Sequence, residues 1–224
     1  MYIPRATAVV ISTSLALYAL DQTVGGLYGA LSLVPVLASS QLYRLFTHIY
    51  IHSDWIHLLF NVLALLLYGP PVERRYGSLH FAMYYTTWGT CGAFIYIIYI
   101  LANIQTAGPL LYVPNAGASS AVAGVIGAYV ALYPPTKLRT TYHRPTTYIR
   151  PIDALKAIYQ KPNLIQLAQL TLWLSATIWI LTEIPQIPAT PQDGVNHPAH
   201  VGGFLTGLAT TPILTSLARR HKNR

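Results

Sequence analysis

The sequence predicts an all-α integral membrane protein whose chain crosses the bilayer several times. Hydrophobic residues make up 53% of the 224 residues and charged residues only 9%, a balance that is wrong for a soluble globular domain. Mean hydropathy is +0.42. Stretches of about 20 residues with few or no charges recur along the chain, and a helix of that length crosses the hydrocarbon core. We therefore expect a single membrane domain over residues 1–224.

Six such stretches are present in the sequence. The first begins almost at the N-terminus and lacks a small-residue cleavage site, so we interpret it as a retained span rather than a signal peptide. The second is short, and we expect Pro70 and Pro71 to end it, because proline removes a backbone donor and ends a helix. The predicted spans are residues 6–28, 55–68, 79–102, 116–133, 164–181 and 199–217.

The distribution of positive charge predicts the orientation. Six spans place both termini on one side, and of the 14 Lys and Arg residues only Arg44 falls on the other side. Because basic residues concentrate in cytoplasmic loops, both termini and the fourth loop, residues 135–163, are predicted to be cytoplasmic. The net charge of +8 then reflects insertion into the lipid bilayer, and nucleic acid is not an expected partner. The segment DALKAIYQK of that loop could form a helix on the membrane surface.

Four polar side chains are predicted to lie at one depth, near the outer face. The fourth and sixth spans both run inward from outside, which places Ser119 and His200 near their outer ends. The second span also runs inward, so His57 and Asn61 lie in its outer half, four residues apart on one helical face. Polar groups at membrane depth usually face a cavity, so a shared depth predicts a shared cavity.

These residue types suit acyl transfer. A serine nucleophile needs a base that takes its proton and donors that face the developing oxyanion. Taken singly, each residue has a simpler interpretation, since a membrane serine often bonds to its own helix and an isolated His or Asn often joins two helices. The coincidence in depth favours catalysis, with Ser119 and His200 as catalytic residues and His57 and Asn61 as further donors.

Other kinds of site are less well supported by the sequence. His48, His52 and His57 could suggest zinc, but the sequence has no HExxH and no recognisable metalloprotease pattern, so neither a metal nor a cofactor is expected. Cys91 is the single cysteine and cannot form an internal disulfide. Asp21 and Glu183 could suggest a transporter, although a coupled-ion relay needs paired acids.

Several motifs, in order along the chain, resemble the rhomboid family of intramembrane serine proteases. YRLFTHIYIHSDWIHLLFN at residues 43–61 is similar to the family's first-loop arginine, its histidine-rich approach to the second helix and its HxxxN. VERRYGS at 72–78 is like the turn after that helix. GASS at 117–120 stands where the family has GxSG, and AHVGGFLTG at 199–207 resembles AHxxGxxxG.

The resemblance implies a Ser-His dyad without a third acid that cleaves the transmembrane segments of protein substrates. By position, Ser119 is the nucleophile and His200 the base, while His57, Asn61 and the Ser119 amide form the oxyanion hole. The other matched positions, Arg44, His48, His52 and Glu73, would brace loops or have structural roles. Glycines in the fourth and sixth spans form small-residue faces that would bring the two helices together.

Two positions depart from the family pattern. Ser120 replaces the glycine after the nucleophile, so Ser120 is an alternative nucleophile, although its place in GxS favours Ser119. Ala123 stands where an aromatic side chain commonly packs against the catalytic histidine. The alternative function is a non-proteolytic relative that binds membrane clients. A prokaryotic plasma membrane is the expected location, with a secretory-pathway membrane second, and no seventh span is predicted.

Overall fold

The described ranges of the chain fold as a bundle of long helices, with short helical turns in several of the connections. The computed structural model describes residues 3–135 and 164–222. Its long helices are α1 (Arg5–Val24), α2 (Trp55–Tyr76), α3 (Ser78–Ala102), α4 (Ser119–Leu132), α5 (Leu164–Glu183) and α6 (His197–Lys222). Short α-helical turns are Leu27–Leu31, Arg44–Thr47, Ile104–Ala107 and Thr190–Asp193, and 3-10 turns are Pro35–Leu37, His48–Tyr50, Gly108–Tyr112 and Ile184–Ala189.

The expected all-helical membrane architecture is confirmed in part. Four segments are long and apolar enough to cross a membrane, namely Arg5–Val24, Trp55–Tyr76, Ser78–Ala102 and Leu164–Ala189. Helix α4 is apolar but has only 14 residues, and α6 is not one of the four. The count of six spans and the orientation of the termini therefore stay predictions. The surface helix expected at DALKAIYQK lies outside the described residues.

Helix α2 is longer than predicted. The expectation that Pro70 and Pro71 end it is wrong, because the helix continues to Tyr76 with both prolines inside. Its last turns are anchored by Glu73, whose buried carboxylate accepts hydrogen bonds from the amide and the hydroxyl of Thr7, both at 2.7 Å. The amide of Ala6 in α1 and the hydroxyl of Ser78 in α3 donate to the other oxygen of the same carboxylate. These tertiary bonds offset the backbone bonds that the prolines cannot make.

Helix α4 lies at the centre of the bundle. It packs against α2, α3, α5 and α6, and each of its residues from Ser120 to Tyr129 is buried. Small side chains permit this: Gly124 lies against the Cβ of Trp88, and a Cβ at Gly127 would overlap the carbonyl group of Phe204. The apolar surface of α4 is therefore covered by protein from Ser120 to Tyr129.

The predicted close approach of α4 and α6 occurs at two glycines of α6. A methyl group at Gly203 would collide with the carbonyl oxygen of Ser120, and one at Gly207 would collide with that of Gly124. Each glycine therefore allows direct contact between the two backbones, as small residues do where membrane helices cross. Because Ser120 follows Ser119, this contact sets the distance between the start of α4 and the first turns of α6.

The segment between α1 and α2 is held by one buried arginine. Arg44 donates from its guanidinium to the carbonyl oxygens of Gly29 and Ser32, at 2.8 and 2.6 Å, and also to the side chain of Gln41. Only 7% of Arg44 is exposed, so its charge is compensated by these acceptors. The arginine closes the loop, in agreement with the bracing role expected for it.

Two histidines of the same segment contact the residues just before α4. The carbonyl oxygen of His48 accepts a hydrogen bond from the amide of Gly117 at 3.0 Å, and Nε2 of His52 accepts one from the amide of Ala118 at 3.2 Å. Burial lowers the pKa of both imidazoles to about 4, so both are neutral near pH 7. A neutral ring leaves Nε2 of His52 able to accept, which positions the start of α4.

The contact between α4 and α6 can be tested with Gly203→Ala. We expect the unfolding temperature in detergent to fall by roughly 5 °C or more, because the added methyl group forces two backbones apart. Gly29→Ala is the matched control, since nothing lies within 4 Å of the position that its Cβ would occupy. Equal unfolding temperatures for the two variants would contradict direct contact between the backbones of α4 and α6 at Gly203.

Candidate active site

Ser119 and His200 form a direct hydrogen bond. Ser119 is the first residue of α4, and His200 lies in the first turn of α6. The serine Oγ and the histidine Nε2 are 2.8 Å apart, and both side chains are half-buried. This is the distance at which an imidazole can take the proton of a serine hydroxyl.

The neighbouring hydroxyl of Ser120 lies in a different environment. It is buried and has no hydrogen-bond partner among the residues that the structure describes. Its Cβ faces Gly92 of α3, where an added Cβ would come within 2.9 Å. Of the two serines, the one that contacts the histidine is Ser119.

The second ring nitrogen of His200 contacts an acid that was not predicted to belong to the site. Nδ1 of His200 lies 2.8 Å from Oε2 of Glu183, at the end of α5. The same oxygen lies 2.8 Å from Nδ1 of His197, whose Nε2 is 2.9 Å from Oδ2 of Asp193. The resemblance implied a dyad without a third acid. A signal was available, because the predicted orientation places the end of the fifth span at the level of His200.

An aromatic ring packs on His200, but it comes from α5. The ring centroids of Trp179 and His200 are 5.9 Å apart. The family pattern commonly has an aromatic residue at the position of Ala123. Ala123 is fully buried, and its Cβ would lie 3.4 Å from a Cβ added to Gly203. A large side chain at residue 123 would therefore separate α4 from α6, and the tryptophan supplies the aromatic contact instead.

His57 lies beside the residues that precede Ser119. Gly117 has a φ of +133°, and a Cβ there would fall on the His57 ring, so the close approach requires glycine. The backbone amide of His57 donates to Oδ1 of Asp54, the N-cap of α2, at 2.8 Å. This bond, with a second from Ser53, holds the pKa of the Asp54 carboxyl below its ordinary value.

Asn61 lines the same cavity as His57, Ser119 and His200. Its Nδ2 donates to the carbonyl oxygen of His57, one turn earlier in α2, at 2.9 Å. A primary amide carries two N–H bonds, and the described residues take up one of those of Asn61. His57, Asn61, Ser119 and His200 all line one cavity, so the structure brings together the four residues predicted from depth.

The cavity has a volume of about 730 Å³ and extends between α2 and α5. Its walls there are mostly apolar and include Phe60 and Leu67 of α2 and Ala176 and Trp179 of α5, with Tyr68 and Ser175 as hydroxyl-bearing members. Most of the polar lining residues lie at, or just before, the starts of α2, α4 and α6, and Ser119 is one of them. A mostly apolar cavity with a few convergent polar groups is typical of a binding site.

One cluster of possible metal ligands is present in the described ranges. Potential ligand atoms of Glu183, His197 and His200 lie within 4.8 Å of one another. Around tetrahedral zinc, neighbouring ligand atoms would be roughly 3.4 Å apart, given zinc–nitrogen bonds near 2.0–2.1 Å. The two N–O separations of 2.8 Å are instead those of charge-assisted hydrogen bonds. We therefore interpret the cluster as a hydrogen-bonded network.

Comparison with known proteins agrees with the motifs. The Rhomboid domain family matches residues 39–217. The Bacillus subtilis protein YdcA is 35% identical over 96 residues, covering 42% of this chain and 43% of that protein. The rhomboid protease GluP of the same organism is 33% identical over 138 residues, 58% of this chain and 25% of the relative. RHOMBOID-like protein 1 of Arabidopsis thaliana is 29% identical over 103 residues, 46% and 24% respectively.

The matched regions span less than half the length of these curated relatives, whereas the family match covers most of this chain. The matched range contains every residue of the candidate site, from His57 to His200. The chain belongs to the rhomboid family.

Proposed function

We propose that the protein is a serine endopeptidase that cleaves the transmembrane segments of other membrane proteins. The observation that carries the proposal is the 2.8 Å hydrogen bond between Ser119 and His200 at the polar end of an apolar cavity. Membership of the rhomboid family supports it, since relatives such as GluP are named proteases.

The proposed reaction begins with attack of Ser119 Oγ on the carbonyl carbon of the scissile peptide bond. Nε2 of His200 takes the hydroxyl proton and then gives it to the leaving amine nitrogen, so that the C–N bond breaks and an acyl-serine remains. Water then attacks the acyl carbon and passes a proton to His200. Return of that proton to Ser119 Oγ releases the carboxylic acid product.

The oxyanion would be stabilised by donors around Ser119. Helix α4 starts at Ser119, so backbone N–H groups of its first turn are not used within the helix. The remaining N–H of the Asn61 amide and the ring of His57 line the same cavity. Donors that are already in place stabilise developing charge strongly where water is excluded.

The cavity supports a membrane-embedded substrate. Its apolar walls on α2 and α5 suit apolar side chains, whereas its polar end requires a peptide with an accessible carbonyl group. An intact transmembrane helix uses its carbonyl groups internally, so we expect preferred substrates to contain helix-weakening Gly, Pro or small residues near the outer face. A stiff Leu-rich segment that is cut equally well would contradict this preference.

We also propose the predicted topology, in one domain with six spans and cytoplasmic termini, in a prokaryotic plasma membrane. The burial of α4 by the surrounding helices supports its place as an internal span despite its 14 residues. A helix of that length is about 21 Å long, shorter than the hydrocarbon core. Its start would then lie below the membrane surface, at the depth assigned to Ser119.

Cysteine accessibility tests the orientation. In a Cys91→Ser background, we expect Ser40→Cys to react with a membrane-impermeant maleimide added to intact cells, because residue 40 lies in the proposed outer segment. Arg75→Cys should react only after the cells are permeabilised, because it lies in the proposed first cytoplasmic loop. The reverse labelling pattern would contradict the orientation.

Probe labelling in micelles tests the nucleophile. A fluorophosphonate should modify the wild type, should fail on Ser119→Ala and should persist on Ser120→Ala, because only Ser119 contacts His200. In-gel fluorescence and intact mass report the adduct. Absence of labelling in every form, with the fold retained, would favour the non-proteolytic alternative in which the protein binds membrane clients.

Replacement of Asn61 tests the oxyanion donors. We expect Asn61→Ala to lower kcat by about 100-fold, the effect of losing one such donor, with little change in KM. Steady-state cleavage of a purified transmembrane substrate in micelles gives both constants. Leu63→Ala is a useful comparison, since it removes a cavity-wall side chain of the same helix without removing a donor. Equal kcat in the two variants would remove Asn61 from the mechanism.

A further inference from the structure

We propose that Glu183 is a positioning residue that converts the expected dyad into a Ser-His-Glu arrangement. Its carboxylate accepts a hydrogen bond from Nδ1 of His200, while Nε2 of the same ring faces Ser119. The inference rests on the proposed function, because an oriented base matters only if Ser119 is the nucleophile. It goes beyond that function by adding an acid from α5.

The two bonds of His200 determine its tautomer. An ionised carboxylate can only accept hydrogen bonds, so the 2.8 Å contact with Glu183 requires a proton on Nδ1. A neutral imidazole has one N–H, which leaves Nε2 unprotonated at 2.8 Å from the Ser119 hydroxyl. That is the form a general base must have, and the carboxylate then stabilises the imidazolium that forms.

A second histidine holds Glu183 in place. His197 directs Nδ1 to the Glu183 oxygen and Nε2 to the Asp193 carboxylate, at 2.8 and 2.9 Å. With both acids ionised, both ring nitrogens of His197 must carry protons, so the ring is a cation between two anions. Only 7% of Glu183 is exposed, and a buried carboxylate is stable when it is paired and hydrogen-bonded.

The competing interpretation is that Glu183 only ties α5 to α6. A tie of that kind would affect the stability of the protein, while a folded variant would keep its turnover number. A positioning role predicts the opposite pattern, in which the folded variant loses turnover and retains substrate affinity. The two roles are therefore distinguished by kcat and KM, measured together with the unfolding temperature.

The central experiment compares Glu183→Gln with wild type. Glutamine has nearly the same shape but no charge, so we expect kcat to fall by about 100-fold or more, with KM within about threefold. Glu183→Asp, which restores the charge on a shorter side chain, should recover part of the lost turnover. Thr182→Ala is the matched control on the same helix end, since Thr182 is exposed and its hydroxyl donates to the carbonyl oxygen of Trp179 in its own helix.

A spectroscopic measurement does not depend on cleavage. In full-length protein labelled with ¹⁵N-histidine in micelles, the His200 signals, assigned with His200→Ala, should show a protonated Nδ1 and an unprotonated Nε2 at neutral pH. In Glu183→Gln the tautomer balance should shift. If Ser119 is never labelled by the probe, the proposed function fails, and this spectrum still decides whether Glu183 orients the ring.

Two results would overturn the inference. One is a folded Glu183→Gln protein whose kcat is within twofold of wild type. The other is a wild-type spectrum in which Nδ1 of His200 carries no proton, and this result decides the matter even if Glu183→Gln does not fold.

Discussion

The site depends on the contact between the backbones of α4 and α6. Gly203, three residues after His200, lies directly against the carbonyl group of Ser120, the residue that follows Ser119. Two short side chains on separate helices can reach each other only if their backbones approach this closely. Other features, including the segment between α1 and α2 that Arg44 holds and the His52 bond to the Ala118 amide, position the start of α4 relative to that contact.

Two buried glutamates show how the donor set distinguishes a structural acid from one placed for chemistry. Glu73 accepts from the backbone amides of Ala6 and Thr7 and from the hydroxyl groups of Thr7 and Ser78, and these donors do not titrate near neutral pH. Glu183 accepts from the Nδ1–H groups of two imidazoles, and one of them, His200, also contacts the Ser119 hydroxyl through Nε2. The first set suits a permanent anchor. The second set connects the carboxylate to the side chains that would transfer a proton in the proposed reaction.

Much of the fold and the site followed from the sequence, and the errors have physical causes. Hydropathy located the long helices. The distribution of charge predicted a common depth for Ser119, His200, His57 and Asn61, and all four line one cavity. The rule that proline ends a helix failed at Pro70 because tertiary bonds to Glu73 outweigh the lost backbone bonds. Glu183 and Trp179 were missed because span order does not reveal which helices are neighbours.

Helix α5 carries two of the side chains that contact His200, yet few of its residues are buried. Its buried residues are Ala176, Ile180 and Glu183 alone, and Trp179 lies over His200. The same helix forms one wall of the cavity. Any outward displacement of α5 that widens the cavity also withdraws the carboxylate and the indole from the imidazole. In the proposed reaction, admission of a peptide and alignment of His200 are thus opposed, so turnover would require the helix to return before the bond is cut.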